Sequence, residues 1–124
     1  MRHVALLGTG LIGGSIGLGL RRGAPDVVVS GYDLDESTLA RAVELGAVSV
    51  AGRDPATTVA GADVVVLAVP LGAVETTLDA LGSAVAADAV ITDVASAKAA
   101  VVAAGEKSYG ERFVGGHPMS ASIP

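Results

Sequence analysis

Short runs of Val, Leu and Ile alternate along the chain with longer Ala-rich segments, and Gly, Pro or Asp separate them. Val4–Leu7, Val27–Ser30 and Val64–Val69 are apolar almost throughout, without the in-out alternation of a strand that has one wet face. Ala89–Thr92 is a fourth such run, and Val48–Ala51 and Phe113–Gly115 are shorter ones. All six are expected to be strands, the longer ones buried on both faces.

The intervening segments carry helix ends. Leu11–Arg22 closes on two arginines with Gly23 behind them, which suits the negative end of a helix dipole. Asp35 is placed to cap a helix over Glu36–Leu45, and Gly46 to stop it. Asp54 followed by Pro55 predicts a short helix with proline in its first turn. Gly72–Leu81 and Ala97–Ser108 complete the set. Strand and helix in strict alternation imply right-handed crossovers and a parallel sheet covered on both faces. The 124 residues are enough for one core and too few for two, so the expectation is a single α/β domain with a doubly wound sheet.

Composition narrows the chemistry. No cysteine is present, which removes disulfides and thiolate metal sites, and the two histidines, His3 and His117, are a poor basis for a metal centre. Eight Lys and Arg against thirteen Asp and Glu leave a net charge of −5, and only three aromatics occur. Neither a phosphate-neutralising face nor a base-stacking platform can be built from these, so nucleic acid is not an expected partner. Met1-Arg2-His3 before the apolar stretch Val4–Leu20 imitates a secretory leader, but six glycines interrupt the stretch and Arg21-Arg22 follows it. The expectation is a cytoplasmic protein without a membrane span.

Gly8-Thr9-Gly10-Leu11-Ile12-Gly13 is a G-x-G-x-x-G run between the first strand and the first helix, the context in which the motif has physical content. Gly8 would make the tight turn and Gly10 would let a pyrophosphate reach bare backbone. Gly13 would let helix and strand pack closely. The amides of Leu11 and Ile12 would face the phosphate charge at the start of the helix. Asp33 follows Ser30-Gly31-Tyr32 at the distance where a carboxylate holds the adenosine ribose hydroxyls. Together these predict a dinucleotide site in a Rossmann-type sheet. Asp33, Asp35 and Glu36 would repel a 2′-phosphate, and no Lys or Arg lies between Arg22 and Arg41, so the expected cofactor is NAD.

Three further segments are candidates. Ala68-Val69-Pro70 ends the fourth run, where backbone would border the nicotinamide ribose. Ser96, in Asp93-Val94-Ala95-Ser96-Ala97-Lys98, would either cap the helix after it or stand at the rim of the nicotinamide pocket, among the cofactor-binding residues, with its hydroxyl donating to substrate. His117 stands between two glycines and a proline, held extended, with a side chain suited to proton transfer near neutrality.

In this order, Gly8–Gly13, Gly31-Tyr32-Asp33, Ala62–Pro70, the Asp93–Lys98 segment and Gly116-His117-Pro118-Met119 resemble the prephenate/arogenate dehydrogenases of tyrosine biosynthesis. The glycine motif is common to many dehydrogenases, whereas the Asp-x-x-Ser-x-Lys and His-Pro-Met pair is more specific. The resemblance reaches to about Met119; beyond it Ser120–Pro124 departs from the family pattern. It implies NAD-linked oxidative decarboxylation of prephenate or arogenate, with His117 as the catalytic partner of the ring hydroxyl and Ser96 assisting. It also implies that these residues are the nucleotide-binding portion, since the family's helical domain, which supplies dimer contacts and substrate carboxylate groups, has no counterpart in them. The family is homodimeric; the portion alone is open to a monomer. Two other readings compete: an NAD-linked dehydrogenase of the β-hydroxyacid type, and a non-catalytic NAD-binding module.

Overall fold

The computed structural model describes residues 2–94 and 113–114. Its strands are β1 (His3–Leu7), β2 (Val28–Tyr32), β3 (Val50–Ala51), β4 (Val64–Leu67), β5 (Val90–Asp93) and β6 (Phe113–Val114). They form one sheet in the order β3-β2-β1-β4-β5-β6, and every pairing is parallel. The helices are α1 (Leu11–Gly23), α2 (Glu36–Glu44), α3 (Pro55–Val59) and α4 (Val74–Leu81), the last entered through a turn of 3-10 helix at Leu71–Ala73. Strand order reverses between β1 and β4, which opens a crevice at their carboxyl ends.

Both faces of the central strands β1 and β4 are buried, as their unbroken apolar runs require. Ala5, Leu7, Val65, Leu67 and Ile91 point to one face and pack with Val59 of α3 and Val74, Leu78 and Leu81 of α4. Val4, Leu6, Val29 and Val66 point to the other, against Ala42 of α2 and partly buried Ile16 and Leu20 of α1. Alternate residues of one strand thus serve different cores. A Cβ at Gly17 would strike the Ala47 carbonyl, so α1 packs against the segment between α2 and β3 at a distance only glycine permits.

Several ends differ from the sequence expectation. β2 starts at Val28, because the Val27 amide closes a turn onto the Ala24 carbonyl, and it runs on to Tyr32, paired with Leu7. β3 shortens to two residues because the Ala47 and Val48 amides both donate to the Ala42 carbonyl at the exit of α2. β4 stops at Leu67 rather than Val69. The Ala68 amide still reaches the Leu7 carbonyl (2.7 Å), but β1 turns away at Gly8 and leaves Val69 unpaired on the β1 side. β5 is displaced by one residue because the Ala89 amide closes a turn onto Ala86. β6 covers the first two of the three residues expected. Gly23 is the last residue of α1, and Leu45 lies just past α2, where Gly46 (φ +81°) takes the chain away. The expected helix Ala97–Ser108 lies outside the described residues.

Asp63 clamps the start of β1, accepting the amides of Arg2 (2.8 Å) and His3 (2.9 Å). Those two backbone bonds hold its carboxyl below the ordinary aspartate range. A folded-state pKa below the unfolded one contributes stability above the unfolded value and loses it as pH falls through the folded one. Asp63→Asn should therefore melt below the wild type at pH 7, with the two melting temperatures converging in acid. A constant offset across thermal melts from pH 7 to pH 3 would contradict this.

Among the described residues no helix is long and apolar enough to cross a membrane, and no cluster of three His, Asp or Glu could hold a metal ion. His3 is structural. Ser30 spends its one hydroxyl proton on the Thr58 carbonyl (2.7 Å), so the 2.7 Å contact between His3 Nε2 and Ser30 Oγ requires the proton to sit on Nε2.

Candidate functional site

At the carboxyl end of β1 the chain turns at Gly8, whose φ of +98° suits glycine. Its amide donates to the Tyr32 carbonyl (2.8 Å), and a Cβ there would strike the Ala68 carbonyl. A Cβ at Gly13 would run into the Gly8 carbonyl and press on the Ala68 side chain at 3.3 Å. Strand end, helix start and the exit of β4 are therefore nested on one another. Gly10 is the opposite case: a Cβ there would meet nothing within 4 Å, so the bare backbone faces open space.

Gly10 is also the N-cap of α1, and it supplies no side-chain cap. The amides of Leu11, Ile12 and Gly13 find no acceptor among the described residues, and no acid stands in the first turn. The next two helices differ. Asp35 caps α2 by accepting from the Ser37 and Thr38 amides, and Asp54 caps α3 through Thr57. The helix behind the glycine run is thus left with its positive end unanswered, which is the arrangement an anionic ligand completes.

Asp33 follows β2 and is shared by two backbone groups. Oδ2 accepts from the Thr9 amide (2.8 Å) and weakly from the Thr9 hydroxyl (3.4 Å), while Oδ1 accepts from the Asp35 amide (2.9 Å). One side of Oδ1 remains open for an incoming hydroxyl. Leu11 and Leu34 stand almost fully exposed around this mouth. A cleft of about 540 Å³ runs from it between α1 and α2, past Thr9, Gly10, Ser15, Ser37, Thr38 and Arg41. Arg41 brings a positive charge to the cleft that the acidic run alone did not suggest, but it lies 3.8 Å from Glu44.

Of the residues expected at the site, the structure brings together Gly8, Gly10, Leu11, Ile12, Gly13, Asp33 and Ala68. Val69 and Pro70 lie in the loop leaving β4, where the Pro70 carbonyl accepts the Ala73 amide (2.8 Å) and starts the 3-10 turn. They border the crevice from a loop, not from a strand. Ser96 and His117 lie outside the described residues. The sequence reading missed Thr9, buried beneath the turn and bonded to Asp33; a variable position inside the motif carries no signal for that role. Asp93, the first residue of the Asp-x-x-Ser-x-Lys segment, is completely buried at the end of β5.

The close contacts make one expectation sharp. Gly13→Ala must push α1 off the Gly8 carbonyl, a backbone atom that cannot rotate aside. Overpacking of this kind costs about 1–3 kcal/mol. Urea unfolding should register that loss, and an unchanged midpoint would show that the turn is looser than described.

These features define a nucleotide-binding α/β domain, and the residues present suit a dinucleotide such as NAD: unpaired amides for the pyrophosphate, bare backbone at Gly10 and an acceptor at Asp33 for a sugar hydroxyl. A family model described as the prephenate dehydrogenase nucleotide-binding domain matches residues 16–122, and the chain belongs to that family. Prephenate dehydrogenase of Bacillus subtilis is 34% identical over 96% of this chain and 33% of its own length. The crystal structure of Aquifex aeolicus prephenate dehydrogenase in complex with hydroxyphenyl propionate and NAD+ superposes with a TM-score of 0.87 at 30% identity, covering 100% of this chain and 44% of that one. Synechocystis arogenate dehydrogenase gives a TM-score of 0.85 at 32% identity, with 94% and 41% covered. The chain spans about a third of the length of the curated relatives it matches.

Proposed function

We propose that this chain is the NAD-binding portion of an enzyme that oxidatively decarboxylates prephenate or arogenate. The observation that carries the reading is the uncapped start of α1 behind the Gly8 turn, with Asp33 at the end of the neighbouring strand. Family membership and the relatives' names support the substrate class.

NAD supplies the hydride acceptor. The chain's own share is binding and orientation. The Leu11 and Ile12 amides neutralise pyrophosphate charge, Asp33 accepts a ribose hydroxyl, and the Ala68–Pro70 loop borders the nicotinamide end. His117 takes the proton from the substrate's ring hydroxyl as the ring carbon beneath it gives up hydride, and Ser96 hydrogen-bonds to the same region. Loss of carbon dioxide and ring aromatisation drive the reaction forward. Action in the cytoplasm, a homodimer formed through a separate helical domain, and a monomer for these residues alone belong to the same proposal.

A second reading is that these residues bind NAD without turning anything over: the groups the structure brings together, the uncapped α1 amides and Asp33, are binding groups. An NADH titration paired with an absorbance assay for NADH formation from prephenate separates the two. Saturable binding with turnover supports the enzyme and binding alone the module; turnover of a β-hydroxyacid in place of prephenate would defeat both.

A further inference from the structure

We propose that Asp33 is a positioning residue for the glycine turn, holding the Thr9 amide in place before any cofactor arrives. In a regular strand successive amides point to opposite neighbours. The Gly8 amide points toward β2, onto Tyr32, so regular alternation would send the Thr9 amide toward β4. The positive φ at Gly8 breaks the alternation, and the Thr9 amide turns to the β2 side as well, where among the described residues it donates to the Asp33 carboxylate (2.8 Å).

Thr9 is 4% exposed, so without that carboxylate its amide would be buried and unpaired. The carboxylate thus extends the contact between β1 and β2 past the end of the ladder and fixes the Gly8–Thr9 peptide, at the entry to the turn. The orientation of the unpaired α1 amides follows from it. Consequently the Thr9 amide is unavailable to a phosphate, and Asp33 has a single open acceptor position, on Oδ1, left for the sugar. The cofactor half of this inference rests on the function proposed above; the turn-holding half does not.

The test uses the chain without cofactor first. Amide hydrogen exchange at Thr9 should be at least about tenfold faster in Asp33→Ala than in the wild type, a change of about 1.4 kcal/mol in protection. Unchanged exchange at Thr9 overturns the proposal. If Asp33→Ala does not fold, Asp33→Asn decides. Its amide has one oxygen for two amides on opposite sides, so exchange must rise at Thr9 or at Asp35, and protection kept at both overturns it. Binding is then compared for NADH and for an NADH analogue lacking both hydroxyls on the adenosine ribose. If Asp33 only gripped the ribose, wild type and Asp33→Ala would bind the analogue equally, and that result also overturns the proposal. The expected result is a further loss of about tenfold for the analogue in the variant. Failure of the wild type to bind either ligand would sink the cofactor reading while leaving the Thr9 exchange result to stand by itself.

Discussion

Replacing His117 with asparagine is expected to lower kcat for prephenate oxidation by about 10²–10⁴-fold, the usual worth of general-base help, in a form of the protein that turns over prephenate. On the role proposed for His117, asparagine would keep a hydrogen bond to the ring hydroxyl without accepting its proton, so the loss should fall on the chemical step. NADH affinity should stay at the wild-type value, because the groups placed to bind it are the α1 amides and Asp33. The acid limb of the rate profile, where the imidazole becomes protonated and can no longer act as a base, should vanish in the variant. An unchanged kcat would remove His117 from the mechanism, and a fall in NADH affinity matching the fall in rate would make it a binding residue.

The second large effect is discrimination against a phosphorylated ribose. A 2′-phosphate would sit beside the Asp33 carboxylate, with Asp35 and Glu36 next along the chain. Two unit charges about 4 Å apart repel by about 4 kcal/mol at an effective dielectric near 20. Solvent and salt reduce this at a mouth as open as this one. Arg41 works in the other direction from the α1–α2 cleft, and its ion-pair distance of 3.8 Å to Glu44 leaves part of its charge available. Asp33 is the group expected to meet the ribose directly, so NADPH should bind at least about tenfold more weakly than NADH, equal to about 1.4 kcal/mol. The gap should narrow with added salt and narrow further in Asp33→Ala. Equal dissociation constants for the two cofactors would refute the charge argument.

Much of this arrangement was legible in the residue order. Unbroken apolar runs at Val4–Leu7 and Val64–Leu67 imply burial on both sides, and the two cores on opposite faces are what that requires. Asp35 and Asp54 announced helix starts through an interaction spanning two or three residues, and such local signals survive folding nearly intact. Strand ends were less legible, because a strand stops when its neighbour turns away. Val69 reads as strand by itself, yet β1 leaves at Gly8 and ends the pairing.

The same distinction holds at the site. The glycines and Asp33 are readable because spacing alone ties them to one cofactor geometry. Thr9 is not, since its role depends on where Gly8 sends its amide, a backbone property invisible in side-chain identity.

Calorimetric titration of the wild-type chain and of Asp33→Ala with NADH bears most directly on whether the glycine turn and its carboxylate form a cofactor site. A saturable isotherm for the wild type, weakened at least about tenfold in the variant, is the predicted outcome. No heat with NADH, or superimposable isotherms for the two proteins, would contradict it.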